Sequence, residues 1–416
     1  MRADAPSLAQ YGPDALGVRT LDFVHPDQVD VLKVDPEAPA DAPLPRYDRP
    51  ITVEVWYPAK ADQEGSTTLK AYMRDGKTVV DLHGKAVRDA EPAATDAPYP
   101  LVIVSHGYPG NRYLMSPIAE NIASKGYVVV SIDHTDTTYS TLGPISSAVL
   151  NRPLDQHFVL EEIAKRAQDP GSFLHGLVDA DNTAIIGYSM GGYGTLVSVG
   201  AGLTHEAVEA TGTPFAVPRG LLAVLEAGSP SHETLVDPRV KTAVTFAPAG
   251  LKQGVMNAET IAGIRVPVLF VVGSVDDVVG YEGGVRDTWK DAKAVDRSLL
   301  TFIDANHNAG APMAPPEEAF ATDPDTGFNY SMHYLDPVWD NVRMNNVSAH
   351  FITAWLGKYL KHDTEMDAYL DLVPEAKAGV WAMDDAGQAK PEHNYWKGFP
   401  KRTAVGLTFE TLKAGE

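Results

Sequence analysis

The segment around Ser189 has the pattern Gly-x-Ser-x-Gly over residues 187–191. A short apolar run before it predicts a buried strand, and the residues after it favour a helix. Glycines on both sides let the backbone turn sharply without a Cβ clash, which lifts the serine hydroxyl to the carboxyl edge of a sheet. The start of the helix would then stabilise negative charge beside that hydroxyl. The pattern predicts Ser189 as a nucleophile; the alternative is a glycine-rich turn with an incidental serine.

A serine nucleophile needs a base and a carboxylate that orients the base, and two residues farther along the chain can supply them. Asp276 follows one apolar run, and His307 follows the next one. Because the carboxyl ends of parallel strands meet at one edge of a sheet, both side chains are expected beside Ser189. The order Ser, Asp, His is also one of the known orders for such a triad. Asp277 is the reserve for the acid, and Asp304 is a third candidate.

Acyl transfer also needs N–H donors for the negative oxygen of its tetrahedral intermediate. The turn 105–110, Ser-His-Gly-Tyr-Pro-Gly, follows another apolar run and can supply one donor, while the residue after the nucleophile can supply the second. We therefore assign the backbone N–H groups of Tyr108 and Met190 to this oxyanion hole. His106 is expected to support the turn rather than act as a second base.

Other polar clusters do not complete a metal site. The segment 205–209, His-Glu-Ala-Val-Glu, lacks the second histidine of a zinc-binding helix, and 323–327 lacks the closing glutamate of a calcium loop. Residues 133–136, Asp-His-Thr-Asp, are expected to line the pocket with polar groups. The absence of cysteine excludes disulfides, thiolate zinc sites and a cysteine nucleophile. We expect no metal and no cofactor.

The elements that must position these residues are predicted to form a mostly parallel sheet with helices on both faces. Segments 18–24 and 51–58 alternate apolar and polar residues, as half-exposed antiparallel strands do. From Leu101 onward, short continuous apolar runs alternate with helical patterns, which is typical of a covered parallel sheet. The predicted core strands are 101–105, 127–132, 183–187, 240–246, 267–272 and 298–303, and the predicted helices are 114–125, 155–168, 190–201, 281–293 and 337–361.

We expect one domain over residues 1–416, with its catalytic core at about 50–361. The segments 66–99, 202–238 and 308–336 fit the alternation poorly and are predicted to be loop insertions at the carboxyl edge of the sheet. The C-terminal extension 362–416 contains Trp381, Tyr395, Trp396 and Phe399 among polar residues and is expected to pack back on the domain.

The last insertion, 308–336, leaves the sheet edge beside His307 and is therefore a lid candidate. Its aromatic residues suit the wall of a substrate pocket, although they could equally anchor a long loop to the core. The residues assigned to the pocket are Phe320, Phe328, Tyr330 and Tyr334.

Composition narrows the possible partners. The 34 basic and 55 acidic residues give a formal net charge of −21, which leaves no surplus of cations for nucleic acid or anionic lipid. The apolar runs are strand-length and too short to span a bilayer. The N-terminus has no hydrophobic signal core, so we expect a soluble protein, either cytoplasmic or the mature form of a secreted or periplasmic protein.

Three blocks of the chain resemble the bacterial dienelactone hydrolase-like serine hydrolases and, within that superfamily, the plasma-type platelet-activating-factor acetylhydrolases. The first two blocks are also similar to polyester-degrading cutinases. The resemblance spans about residues 50–360 and implies the α/β-hydrolase fold, with esterase or lipase activity on small acyl groups and the three residues above as its triad. The blocks are 99–107, 122–136 and 187–192.

The expected function is hydrolysis of small or medium uncharged carboxylic esters, free or in a polymer, through an acyl-enzyme. Amide or peptide cleavage is the alternative on the same fold, because a triad does not decide between the two leaving groups. A further alternative is a binding protein on an inactive hydrolase scaffold.

Overall fold

The computed structural model describes residues 2–39 and 41–416, within which twelve strands form a ten-stranded sheet and a two-stranded one. The strands are β1 (Ala15–Val29), β2 (Arg46–Ala59), β3 (Thr68–Tyr72), β4 (Val79–His83), β5 (Val87–Arg88), β6 (Tyr99–Ser105), β7 (Val128–Asp133), β8 (Val178–Tyr188), β9 (Val240–Phe246), β10 (Val268–Gly273), β11 (Arg297–Phe302) and β12 (Leu407–Leu412). The α-helices are α1 (Ser116–Ala123), α2 (Ile145–Gln168), α3 (Met190–Ser198), α4 (His205–Glu209), α5 (Pro230–Leu235), α6 (Ala258–Ile261), α7 (Arg286–Asp291) and α8 (Asn341–Leu360). Short 3₁₀ helices cover Ser7–Ala9, Val31–Lys33, Pro218–Leu225, Glu317–Phe320, Tyr330–His333, Thr364–Tyr369 and Ala376–Ala378, and a π turn covers Tyr281–Val285.

The large sheet has the order β12-β11-β10-β9-β8-β6-β7-β2-β1-β5. Its six central strands, from β11 to β7, are parallel, whereas β12, β2 and β1 join the sheet antiparallel. These central strands are short apolar runs that are buried almost throughout, as strands covered on both faces must be. The predicted fold, a mostly parallel sheet with helices packed on it, is confirmed.

The helices that pack on the central strands form two groups, α1 with α8 and α2 with α3. The predicted core strands and four of the five predicted helices agree with the structure to within a few residues at most ends. The exception among the helices is 281–293, where Gly283 has φ 71° and splits the segment into the π turn and α7. Asp340 starts α8 by accepting a hydrogen bond from the Arg343 N–H.

Helix α2 starts at Ile145 rather than at residue 155, because Pro153 lies inside the helix instead of ending it. An interior proline normally costs about 3 kcal/mol through its missing N–H and its ring clash. The residue before it, Arg152, is fully buried and donates hydrogen bonds to the turn after β6. Tertiary contacts of this kind stabilise a helical start that local sequence preference disfavours.

The predicted insertions and tail have structure of their own. Segment 66–99 contains the β3–β4 hairpin and β5, and 308–336 contains two 3₁₀ turns near the carboxyl edge. The C-terminal extension packs back as expected, since β12 pairs with β11 and Trp396 and Phe399 are buried against Phe351.

Candidate active site

Ser189 lies at a sharp turn between β8 and α3, with φ 54° and ψ −116°. A residue with a side chain rarely adopts such a positive φ, so the surrounding structure must hold the turn in place. A Cβ on Gly187 would clash with the carbonyl of Gly191, and a Cβ on Gly191 would clash with the carbonyl of Ser105. The two glycines of the motif are therefore required by close backbone approach, and they allow the turn that carries Ser189.

His307 joins Ser189 to Asp276 through two hydrogen bonds. The distance from His307 Nε2 to Ser189 Oγ is 3.0 Å, and the distance from His307 Nδ1 to Asp276 Oδ2 is 2.9 Å. Asp276 follows β10 and His307 follows β11, so the sheet edge brings both side chains to the serine turn. The three residues selected from the sequence thus meet in one hydrogen-bonded chain, in the arrangement that nucleophilic catalysis by serine needs.

The carboxylate of Asp276 is buried, and both of its oxygens accept hydrogen bonds. In addition to the bond with His307, its Oδ1 accepts the backbone N–H groups of Val278 and Val279, each at 2.9 Å. Burial by itself would raise the pKa of Asp276, but the hydrogen bonds from His307 and from the backbone hold that pKa below its usual value. Asp276 therefore stays ionised and fixes the imidazole with Nδ1–H donating to the carboxylate and Nε2 free to accept the serine proton.

The two reserve carboxylates do not contact His307 in this way. The side chains of Asp277 and Asp304 are exposed, and their backbone N–H groups donate to Asn306 Oδ1 and Ser274 Oγ, respectively. The geometry therefore favours Asp276 over both alternatives.

Both proposed oxyanion donors lie beside the nucleophile. Met190 is the first residue of α3, where backbone N–H groups have no acceptor within the helix. The turn after β6 passes close to the serine, because a Cβ on Gly107 would lie 3.3 Å from Ser189 Cβ. The next residue, Tyr108, lines the same cleft as Ser189, and its hydroxyl donates to the carbonyl of Gly143 at 2.6 Å. This placement is compatible with the role assigned to both N–H groups.

His106 supports the turn, as its position in the sequence suggested. Its Nδ1 bonds the carbonyl of Gly107 at 2.7 Å, and its Nε2 accepts the backbone N–H of His134. Burial, followed by the nearby charge of Arg152, holds the pKa of His106 well below its usual value, so the ring is neutral. It has no route to substrate because it is enclosed by these partners.

The expectation that residues 133–136 line the pocket is wrong, because none of the four lines the cleft above Ser189, and His134 lies in the interior. This histidine is buried, with Nε2 at 2.8 Å from Ser105 Oγ and Nδ1 at 2.9 Å from Asp155 Oδ2. Arg49 completes the network by donating from Nε and Nη2 to the two oxygens of Asp155. A second Ser-His-Asp set therefore exists beneath the site. Ser105 ends β6, His134 directly follows β7, and Asp155 lies in α2.

The cleft above Ser189 has a volume of about 310 Å³ and mostly apolar or aromatic walls. Among the residues that line it, Asp277 is the one carboxylate, and none is Lys or Arg. The lining residues are Tyr108, Pro109, Tyr188, Ser189, Asp277, Val278, Asn306, His307, Asn308, Phe328, Met332, His333, Leu335 and Pro337.

Of the four aromatic residues assigned to the pocket, Phe328 lies in the cleft and the other three lie outside it. Phe320 is exposed to solvent on its 3₁₀ turn. Tyr330 packs edge-on against the ring of Phe328 and donates its hydroxyl to Asp323 at 2.6 Å. Tyr334 is buried against Tyr139, and its hydroxyl accepts the N–H of Arg74. The tight 3₁₀ turn directs Met332 and His333 to the cleft instead.

Sequence reasoning missed the connection between the 308–336 segment and the base. The hydroxyl of Tyr188 donates to Asn308 Oδ1 at 2.7 Å, and the Asn308 amide donates to the carbonyls of Met332 and Leu335 at 3.1 and 2.7 Å. The side chain of Asn308 therefore holds the segment with Met332 and Leu335 in place beside His307. The signal was its place directly after the histidine and the position of Tyr188 inside the serine motif.

The described part of the chain shows neither a metal-binding cluster nor a membrane-spanning helix. Residues 2–39 and 41–416 contain no group of three or more His, Asp or Glu side chains placed to hold a metal ion. No helix in the same residues has the length and hydropathy needed to cross a membrane.

Comparison with known proteins adds partial matches. The family model described as "Platelet-activating factor acetylhydrolase, isoform II" matches residues 43–156. "Cutinase est1" of Thermobifida alba is 37% identical over 99 residues, which cover 24% of this chain and 29% of that protein. "Dipeptidyl aminopeptidase BIII" of Pseudoxanthomonas mexicana is 30% identical over 213 residues, which cover 48% of this chain and 29% of that protein. These alignments span less than a third of either relative.

A solved structure matches over nearly the whole chain. The ferulic acid esterase from Streptomyces cinnamoneus has a TM-score of 0.57 and 20% sequence identity, and the match covers 97% of this chain and 99% of that one. This likeness shows the fold. The expected resemblance to acetylhydrolases and cutinases is confirmed by the sequence matches.

Proposed function

Since the chain has the α/β-hydrolase fold and fits the serine hydrolases of that superfamily, we propose that it hydrolyses carboxylic esters with Ser189 as nucleophile. The observation that carries the proposal is the continuous chain Ser189–His307–Asp276 at the floor of an open cleft. The matched cutinase and the family model named for an acetylhydrolase support the same chemistry.

The reaction has two acyl-transfer steps. His307 Nε2 accepts the proton of Ser189 as the hydroxyl oxygen attacks the ester carbonyl, and the N–H groups of Tyr108 and Met190 stabilise the resulting oxyanion. His307 then returns the proton to the departing alcohol, leaving an acyl-enzyme. Water attacks this intermediate with the same histidine as base, and the acid is released. Asp276 stabilises the imidazolium in both steps, and no cofactor is required.

The cleft walls favour an uncharged substrate. Phe328, Met332 and Leu335 offer apolar surface for an acyl or alcohol group, whereas Asp277 at the edge disfavours an anion. A cleft of about 310 Å³ suits small or medium acyl groups. Because it is open to solvent, the end of a polymeric ester could also enter.

Amide cleavage is a second candidate because one matched relative is named a dipeptidyl aminopeptidase. The triad supports both reactions, and the difference is the protonation of a poorer leaving group. His307 would protonate either leaving group, so it is the matches to a cutinase and to the acetylhydrolase family model that favour esters.

The test combines turnover with active-site labelling. The protein is incubated with p-nitrophenyl acetate, butyrate and octanoate, with the corresponding p-nitroanilides, and with a fluorophosphonate probe. We expect ester turnover, little anilide turnover and a single probe adduct on the peptide that contains Ser189. Absence of both turnover and adduct would leave the binding-protein alternative, and faster anilide than ester cleavage would favour the amidase.

A further inference from the structure

A buried arginine on α2 holds the turn that follows β6. Arg152 is fully buried, and its Nη1 donates to the carbonyl of His106 at 2.7 Å. Its Nη2 donates to the carbonyl of Gly107 at 2.9 Å and to Thr137 Oγ1 at 2.9 Å. In the described residues no carboxylate lies within ion-pair distance of this guanidinium. Its principal acceptors are therefore two consecutive backbone carbonyls of one turn.

Those carbonyls fix the direction of the proposed oxyanion donor. In a trans peptide the C=O and the following N–H point in opposite directions, and the Gly107–Tyr108 peptide is trans. The Gly107 carbonyl is held on the α2 side by both Arg152 and His106. The N–H of Tyr108 must therefore point away from α2, toward the side on which Gly107 approaches Ser189.

We propose that Arg152 is a positioning residue that aims and polarises the Tyr108 N–H of the oxyanion hole. The inference rests on the proposed ester hydrolysis. A positive charge hydrogen-bonded to the carbonyl of a peptide withdraws electron density from it and strengthens its N–H as a donor. The guanidinium thus acts on the oxyanion through one peptide group, without contacting the substrate.

The cost of burying this charge supports a role beyond packing. Burial lowers the pKa of Arg152 to about 9, so the group remains protonated at neutral pH although it lacks a direct ion pair. A buried charge without a close counter-ion is expensive, and a neutral side chain could fill the same space at lower cost. The position of the charge behind the oxyanion turn is what a neutral residue would not reproduce.

Arg297 provides a matched control in the same chain. It is also fully buried, and it also donates to backbone carbonyls, those of Trp289, Lys290 and Lys413 among them. It lies at the start of β11, at the opposite end of that strand from His307. Replacing it removes a comparable buried guanidinium without touching the turn at Gly107.

The experiment compares Arg152→Met, Arg152→Lys and Arg297→Met with the wild-type protein. For each we measure kcat and KM for p-nitrophenyl butyrate, the melting temperature, and inhibition by an alkyl trifluoromethyl ketone, whose serine adduct carries the oxyanion. Removing a single oxyanion donor typically costs about 100- to 1000-fold in kcat. For Arg152→Met we expect a loss of about 10- to 100-fold in kcat, little change in KM, and inhibitor binding weakened by a similar factor.

Arg152→Lys keeps the charge but can reach fewer acceptors, so we expect most of the loss to be restored and a residual three- to tenfold decrease in kcat. Arg297→Met should lower the melting temperature with kcat unchanged. If Arg152→Met does not fold, Arg152→Lys carries the test. Unchanged kcat and unchanged inhibitor affinity in the folded Arg152 variants would overturn the inference, whereas a wild-type protein without turnover or adduct would overturn the proposed function itself.

Discussion

Residues 2–39 and 41–416 contain two Ser-His-Asp sets with nearly the same internal distances. At the cleft, His307 lies 3.0 Å from Ser189 Oγ and 2.9 Å from Asp276. In the interior, His134 Nε2 lies 2.8 Å from Ser105 Oγ, and His134 Nδ1 lies 2.9 Å from Asp155 Oδ2. The hydrogen-bond lengths by themselves therefore do not distinguish a reactive serine from an inert one.

The two serines differ in backbone conformation and in access to the cleft. Ser189 has a positive φ at the start of α3 and opens onto a cleft, with the turn at Gly107 packed against it. Ser105 is the last residue of β6, is fully buried, and does not line the cleft. Access and N–H donors are what nucleophilic catalysis adds to a hydrogen-bonded chain.

The two carboxylates also have different partners. Asp276 accepts two backbone N–H groups, which stabilise its charge without introducing another one. Asp155 accepts two hydrogen bonds from the guanidinium of Arg49, so the interior set includes a buried ion pair. Burial would raise the pKa of Asp155, but this guanidinium and the His134 bond hold it below its usual range. The interior set thus joins β6, the residue after β7 and α2 under the site, and Arg49 ties it to β2.

The largest contrast is expected from removing each serine hydroxyl. Ser189→Ala should lower kcat for a p-nitrophenyl ester by about 10,000-fold or more, because the nucleophile is lost. Ser105→Ala should leave kcat within about tenfold and cost about 1–3 kcal/mol of stability, because His134 Nε2 loses its buried donor. Steady-state kinetics and denaturant unfolding of both variants check this. A Ser189→Ala variant that retains a tenth of the activity would show that another residue is the nucleophile.

Replacing the carboxylate of the catalytic set should lower activity, whereas replacing that of the interior set should lower stability. Asp276→Asn should lower kcat by about 1000-fold or more, because an amide does not hold the imidazole in its working tautomer. Asp277→Asn is the matched control and should change kcat much less, since its side chain is exposed.

The same substitution in the interior set should act on the free energy of unfolding. Asp155→Asn leaves the guanidinium of Arg49 without its bidentate partner, and breaking a buried pair typically costs about 3–5 kcal/mol. The kinetic and unfolding measurements are made on all three variants together. A larger loss of kcat for Asp277→Asn than for Asp276→Asn would reassign the acid.

A smaller effect is expected from the cleft wall that distinguishes the two sets. Phe328 lines the cleft and is 41% exposed, so Phe328→Ala should alter the ranking among acetate, butyrate and octanoate esters by several-fold at little cost in melting temperature. Tyr330→Ala is the control from the same segment, because its ring lies outside the cleft. An unchanged ranking in Phe328→Ala, with a lowered melting temperature, would leave that residue only an anchoring role.

The sequence predicted the elements whose pattern is local. The central strands are continuous apolar runs, and each candidate residue of the triad lies within five residues after the end of one of them. That placement was sufficient to bring Ser189, Asp276 and His307 together at one sheet edge, because parallel strands align their carboxyl ends. The position of Phe328 in the cleft was predicted because the segment 308–336 is rich in aromatic residues and must leave the sheet edge beside His307.

What the sequence did not predict depends on contacts distant along the chain. The predicted helix began at residue 155, yet α2 starts at Ile145 and continues through Pro153, where Arg152 bonds the turn after β6. The interior set was missed because no motif marks its members, and its carboxylate, Asp155, lies inside helix α2 rather than after a strand of the sheet. Tyr334 was assigned to the pocket because no sequence pattern fixes side-chain directions in a 3₁₀ turn.

The last effect expected is on the pH dependence of stability, and it tests the burial of the interior set directly. Burial, followed by the charge of Arg152, lowers the pKa of His134 from 6.5 to about 3. Between these values the unfolded chain binds a proton at this position that the folded protein does not, so the free energy of unfolding falls as the pH decreases below 6.5. His134→Gln removes this contribution, and its stability should therefore fall less steeply than that of the wild type between pH 6.5 and 4.

Urea unfolding at several pH values in this range measures the slope. His205→Gln is the control, because that histidine is exposed and its ion pair with Glu226 is screened by solvent. The control should follow the wild-type slope, since the other buried histidines titrate in both proteins. Equal slopes for His134→Gln and the wild type would mean that His134 binds its proton in the folded protein. The interior set would then be open to water, and the distinction between the two sets would rest on the oxyanion donors and the serine turn alone.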